Sequence, residues 1–307
     1  MSGSALELPS SALEDWRYVD CRPLAASPAS QATVLPGRPC AADAFPEPSD
    51  ATHRWALAGE RRAVQPDCEQ LLLEDRGGCW ALLVELAPRQ RLRLCVRRHP
   101  AAGRSASWLH CRLAAGSCLE IRDEHEQPLG VHLAAWSVEL ASDATCALGV
   151  VQRGGLLQRQ RLDAQLLAPG AEARVVRLAA LDGARQAHLL ARVTHAVGPT
   201  RSRQLAKAVL ADAARSSFDG LIRVLPGADG SDALQRDHHL LLSPQARADS
   251  RPQLDVRADE VQAAHGATIG RLDAEEQLYL RQRGLPVAEA ERLLVAAFLA
   301  EAEEALP

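Results

Sequence analysis

From about Glu69 to Val261 the chain is a succession of short strand-like runs broken by turn residues, with no helical stretch between them. Leu92-Arg93-Leu94-Cys95-Val96 and Cys118-Leu119-Glu120-Ile121 alternate apolar and polar residues, the period of a half-buried strand. Arg174–Leu178, His188–Val193, Gln204–Leu210, Leu221–Val224, His239–Leu242 and Leu254–Arg257 continue the series. Pro169-Gly170, Asp182-Gly183, Gly198-Pro199, Asp219-Gly220 and the segment from Gly227 to Gly230 read as turns, none suited to a two-residue hairpin. The pattern leaves two mainly β solutions, a sandwich or a solenoid of stacked rungs. Aromatics make up only 3% of a chain that is 47% hydrophobic. Ala, Val and Leu must therefore fill the core, which suits a narrow interior.

The ends read differently. Ser11-Ala12-Leu13-Glu14 has the form of a capping box and predicts a short N-terminal helix. Residues 22–66 are rich in Pro, Ala, Ser and Asp without periodicity, so 1–66 reads as a short helix and irregular segment. Residues 67–270 form the β core, and 271–307 a helical segment. In that segment Asp273 is placed to N-cap a helix with Glu276 at N3, and Gly284 to stop it. A second helix from Val287 carries Ala290, Leu293, Leu294, Ala297 and Phe298 on one stripe. That stripe must cap the open end of the β domain or meet a partner.

Function is bounded more loosely. A net charge of −4 gives no reason to expect nucleic acid or an anionic membrane. No run of 18 apolar residues and no signal-peptide pattern occurs, which makes the cytoplasm the expected location. None of the eight cysteines forms a CxxC, so buried free thiols are expected. Lys207 is the only lysine, the remaining 34 of the 35 basic residues being arginine (35 − 1). A compact ammonium and a planar guanidinium are not interchangeable, so Lys207 is a candidate for a position that requires lysine. No Walker A loop, G-x-G-x-x-G or G-x-S-x-G is present. A β-solenoid acting on polysaccharides would need paired carboxylates on one face. Here Asp and Glu are scattered through turns and the terminal helices.

One stretch carries more information: Arg257-Ala258-Asp259-Glu260-Val261-Gln262-Ala263-Ala264-His265-Gly266-Ala267-Thr268-Ile269-Gly270-Arg271-Leu272-Asp273. With Tyr279–Leu285 and Ala297-Phe298 after it, it resembles the signature of the SufB/SufD family of iron–sulfur cluster assembly proteins. Glu14–Tyr18, the segment from His195 to Lys207, Phe218-Asp219-Gly220, Asp232–Gln235 and Leu240–Ser243 are similar to further family elements in the same order. The resemblance implies a right-handed parallel β-helix with terminal helical segments. It also implies a non-catalytic scaffold of the SufD type, pairing with a SufB-like subunit or with itself and docking a SufC-like ATPase. Leu294 and Phe298 are the candidate ATPase contacts and Lys207 a supporting residue.

His265 is where the family places its functional histidine. A lone imidazole cannot hold iron or a cluster, so the metal would be held only transiently, together with ligands of a partner chain. The local reading of His265 is a histidine in a turn over Ala264–Gly266. Three departures matter. Gln262-Ala263-Ala264 stands where many relatives carry Lys-Cys-Ser, so no thiol is offered there. Gly266 replaces the glutamate of SufB, and no SufB-type cysteine motif lies upstream of Leu254; both favour SufD. The N-terminal helical region looks short. The competing functions are a polysaccharide-active β-helix enzyme and a homodimeric SufD-like protein of reduced function.

Overall fold

The computed structural model describes residues 53–57, 61–66, 68–75, 78–98, 103–125 and 130–307. The capping box at Ser11 and the Glu14–Tyr18 element lie outside the described residues. Among the described residues, seventeen strands precede two helices. Odd-numbered strands, from β1 (His53–Leu57) to β17 (Gln262–Gly270), form one nine-stranded sheet. Even-numbered strands, from β2 (Arg61–Val64) to β16 (Arg247–Val256), form an eight-stranded sheet. Each strand pairs in parallel with the one two places on, as in β9 (Thr145–Gln152), β11 (Glu172–Leu181) and β13 (Arg201–Leu210). Successive strands therefore alternate between two facing sheets, and the chain winds as a parallel β-solenoid. Strands β1 and β2 lie within the stretch read from sequence as irregular.

Alternation decides which side chains enter the solenoid. In β5 (Arg91–Arg98) Leu92, Leu94, Val96 and Arg98 are buried while the residues between them are not. Trp136, Phe218 and a series of Leu, Val and Ala residues fill the space between the sheets. The turns stack as the strands do. Arg89, Gly116, Asp143 and Gly170, at 27-residue intervals, all take positive φ, between 55° and 77°. Gly116 N–H donates to the Ser142 carbonyl at 2.8 Å and Gly170 N–H to the Pro199 carbonyl at 2.8 Å, carrying the parallel bonding through the corners.

Asp219-Gly220 is not a turn. It lies inside β14 (Arg215–Val224), and a Cβ on Gly220 would overlap both the Gln235 side-chain amide and the Phe218 ring. The glycine is there so that Gln235 can reach across the interior.

Helix α1 (Ala274–Gln282) is capped by Asp273, whose Oδ1 accepts from Glu275 N–H at 2.7 Å, and ends before Gly284 at φ 91°. Helix α2 (Val287–Ala305) covers neither open end of the solenoid. It lies along the outer face of the nine-stranded sheet, on Val151, Val176, Leu178, Leu205, Val209 and Leu240. Those residues alternate with inward-facing ones, so much of β11 and β13 is buried on both faces and loses the buried–exposed alternation of the earlier strands. The buried positions of α2 are Ala290, Leu299 and Ala302; Phe298 packs at their margin, and Leu293 faces outward. The packed stripe is thus rotated from that read in the sequence. Gly149 makes room for the chain after α2, since a Cβ there would meet Leu306 and Pro307 within 3.0 Å.

Candidate functional site

His265 sits on β17, the last strand of its sheet, and not in a turn. Its Cα partner is Gln235, whose own partner on the previous rung is Gln204. His265 therefore continues an inward-facing column, but no further rung covers it and it is exposed. Among the described residues β17 pairs with β15 (Asp232–Leu241) alone, so its outer backbone edge is unpaired. Nearly all its side chains are exposed, Ile269 among them at 48%. Such an edge is a template for another chain. Gly266 and Gly270 have open space where a side chain would stand.

Lys207 takes a different place from His265. It is on β13, facing outward beneath α2, and only 8% exposed. Its Nζ donates to the Phe298 carbonyl at 2.8 Å, pairs with Glu301 at 2.8 Å and lies 5.0 Å from the centre of the Phe298 ring. Arg236 holds the same carboxylate at 2.7 Å. The hydrogen bond from Lys207, helped by Arg236, draws the Glu301 carboxyl below its usual range. Phe298 is thus engaged by its own solenoid. Leu294 is half-buried on the same helix, whereas Leu293, Val287, Leu278 and Tyr279 are between 46% and 54% exposed.

Three further histidines, His195, His238 and His239, are held by neighbouring side chains. His195 is fully buried, Nδ1 facing Thr200 Oγ1 at 2.7 Å and Nε2 facing Ser202 Oγ at 2.8 Å, and burial pulls it down to about 4. His238 and His239 point to opposite faces, as adjacent strand residues must. His238 meets Thr268 at 2.7 Å outside, and His239 meets Asp237 at 2.9 Å inside.

Sequence reading missed the buried charges. Arg98 is enclosed with Asp75, Asp123 (2.7 Å) and His125 (3.0 Å). Burial alone would raise the Asp123 carboxyl, but Arg98 and His125 overrule it and hold it at about 2. Arg177, with no solvent exposure, donates to Gln152 Oε1, Ser216 Oγ and the Ala187 carbonyl, each at 2.8 Å. Burial lowers it to about 10, still protonated at neutral pH. The available signal for Arg98 was an Arg at an inward position of an alternating strand; β11, buried on both faces, gave none for Arg177.

A groove of about 430 Å³ outside the eight-stranded sheet is lined by Trp108 with Cys79, Ala81, Ala135, Arg159 and Arg161, and no carboxylate is among its lining residues. Asp75 and Asp123, which do lie together, are committed to Arg98. Neither place offers the free carboxylate pair that glycoside hydrolysis needs.

A parallel β-solenoid ending in an uncovered rung, with one helix packed on its flank, is the architecture of the described residues. The model of the SUF system FeS cluster assembly SufBD core domain matches residues 83–298, and the chain belongs to that family. It is 35% identical over 195 residues to the iron–sulfur cluster assembly protein SufD of Escherichia coli, covering 63% of this chain and 46% of that one. It is 41% identical over 99 residues to SufD of Bacillus subtilis, covering 32% and 23%. A SufBD family protein of Synechocystis is 31% identical over 189 residues, covering 61% and 41%. The chain thus matches less than half the length of each of these relatives. No helix among the described residues is long and apolar enough to cross a membrane.

Proposed function

We propose that this chain is a non-catalytic scaffold subunit of cytoplasmic iron–sulfur cluster assembly, in the SufD role. It pairs through its last rung with a SufB-like subunit, and its helical segment docks a SufC-like ATPase. The observation that carries the reading is His265 exposed on an uncovered final strand with a free backbone edge. A partner strand laid along β17 would satisfy that edge and bring its own side chains beside the imidazole. His265 then supplies one neutral nitrogen ligand or proton carrier, and the partner supplies the thiolates that iron and sulfide require. The cluster is cargo of the joint site and belongs to neither chain alone. The ATPase would meet the exposed side chains of the helical segment, Leu293 and Leu278 included, with Leu294 and Phe298 behind them. Lys207 supports that surface by holding α2 in place.

The test is anaerobic reconstitution of the complex with wild type, His265→Ala and His265→Cys at equal assembly. Iron and sulfide per complex should fall in the alanine variant and be partly kept in the cysteine variant, whose thiolate retains ligand capacity. Equal cluster content in all three would return His265 to a passive position. The mass of the isolated chain distinguishes a homodimer, which the same free edge also permits, from a subunit awaiting a different partner.

A further inference from the structure

One inner corner of the solenoid carries polar side chains on several of its rungs, with Val150 and alanines between them. On the nine-stranded sheet the column runs from Asp75 beside Arg98 to His125, Gln152, Ala179, Ala208 and His239, ending level with Ile269 on the open rung. The neighbouring column carries Asp123, Val150, Arg177, Ala206 and Asp237, ending level with Ala267. On the facing sheet stand His132, Gln158, Ala187 and Ser216. Two contacts show that these columns meet across the corner. Arg177 donates to Ser216 at 2.8 Å, and the His125 and His132 rings lie 5.1 Å apart. Apolar side chains would have filled this corner as they fill the rest of the core.

Several of its polar atoms have no protein partner although their residues are buried. They are Gln152 Nε2, Gln158 Oε1, Asp237 Oδ1 and His239 Nδ1, with Gln204 Nε2 and Gln235 Oε1 one column away. Orphaned buried donors and acceptors are rare in native proteins, and water is their usual partner. Both kinds occur here along one line, and a water molecule can serve either. A metal ion would satisfy only the acceptors. Between Gln152 and Arg177 on one side and His239 and Asp237 on the other, the in-register residues are Ala179, Ala206 and Ala208, which extend no atom past Cβ.

We propose that this corner binds a file of ordered water molecules and forms a proton path between the buried Asp237–His239 pair and the open last rung. His239 Nε2 is 2.9 Å from Asp237 Oδ2, so the pair can take a proton from water on the Nδ1 side and return it. The path leaves the solenoid beside Ala267 and Ile269, both exposed. It is a property of the solenoid itself and does not rest on the role proposed for His265.

Two measurements on the whole chain decide it. A crystal structure that orders water should place oxygens within hydrogen-bonding distance of Gln204 Nε2, Asp237 Oδ1 and His239 Nδ1. Side chains turned to pair these atoms directly, or an empty gap, would overturn the proposal. Deuterium exchange at the imidazole C2 position, read by mass spectrometry, should be at least about tenfold faster for His239 than for His195, which is equally enclosed but bonded to hydroxyls at both nitrogens. Ala206→Val, which adds methyl groups beside Asp237, should slow His239 and leave His195 unchanged. Exchange of His239 no faster than that of His195 in the wild-type chain would sink the idea, whatever the folding of the variant.

Discussion

The only lysine of the chain, Lys207, donates to the backbone carbonyl of Phe298 at 2.8 Å while lying 5.0 Å from the centre of that residue's ring. One ammonium thus engages a peptide oxygen, an aromatic face and the Glu301 carboxylate at once. A guanidinium is longer and planar, and cannot be centred among three groups so close together. This accounts for a lysine surviving here in a chain that otherwise uses arginine.

Lys207→Met should therefore loosen α2 and leave the solenoid folded. Losing a charge-assisted hydrogen bond, together with an ion pair whose carboxylate is 41% exposed and therefore screened, costs about 1–3 kcal/mol. Lys207→Arg should recover only part of it. Amide hydrogen exchange should show faster exchange across Val287–Ala305 with the strands from β3 (Gln70–Asp75) to β15 unchanged. Equally faster exchange in every element would instead make the lysine part of the global core.

Phe298 and Leu293 should separate docking within the chain from docking to a partner. Phe298→Asp places a carboxylate against the Val151–Leu240 cluster and Lys207, so it should lower thermal stability and free α2. Leu293→Asp, at 46% exposure, should change stability by no more than about 0.5 kcal/mol. On the proposed function it should weaken binding of a SufC-like ATPase. Affinity unchanged by Leu293→Asp would remove this helix face from that interface.

Arg177→Met should be among the most damaging single changes in the core. It removes the donors that satisfy Gln152, Ser216 and the Ala187 carbonyl, all inside the solenoid. Stranding them should cost about 3–5 kcal/mol, measurable as a lower urea midpoint with unchanged slope. A loss below about 1 kcal/mol would mean that water replaces the guanidinium readily.

Acid should weaken the fold through its buried histidines. Burial pulls His195 down to about 4, and burial with Arg98 and His125 nearby lowers His132. An unfolded imidazole titrates near 6.5, so between pH ~6.5 and ~4 the unfolded chain binds the extra proton. The stability gained by keeping His195 neutral is full above pH ~6.5 and is lost as pH falls, by up to about 3 kcal/mol. Urea denaturation near pH 7.5 and near pH 5 should show the loss. His195→Asn should be less stable at the higher pH and show a shallower pH slope. A wild-type slope unchanged by that substitution would place the acid sensitivity elsewhere.

Much of this protein is set by residue order alone. Alternation in Leu92–Val96 and Cys118–Ile121 reports strands with one wet face, because side chains on a strand alternate between its faces. Asp273 and Gly284 report a helix start and stop because capping is local chemistry. The family motifs are local as well, and they single out His265 without giving its place on a strand. Tertiary structure decided what depends on neighbours about 30 residues away. The stacking of β15 on β13 and β17 on β15 put His265 at the end of the Gln204–Gln235 column and left its strand uncovered. Packing against Val176 and Leu205 turned α2 onto the solenoid's flank, because an amphipathic stripe does not say which apolar surface it will meet. Register likewise placed Arg98, Arg177, Asp237 and His239 along one inner corner. No local pattern marks such a corner, since each of its members is a single polar residue on a different strand, and only winding brings them into line.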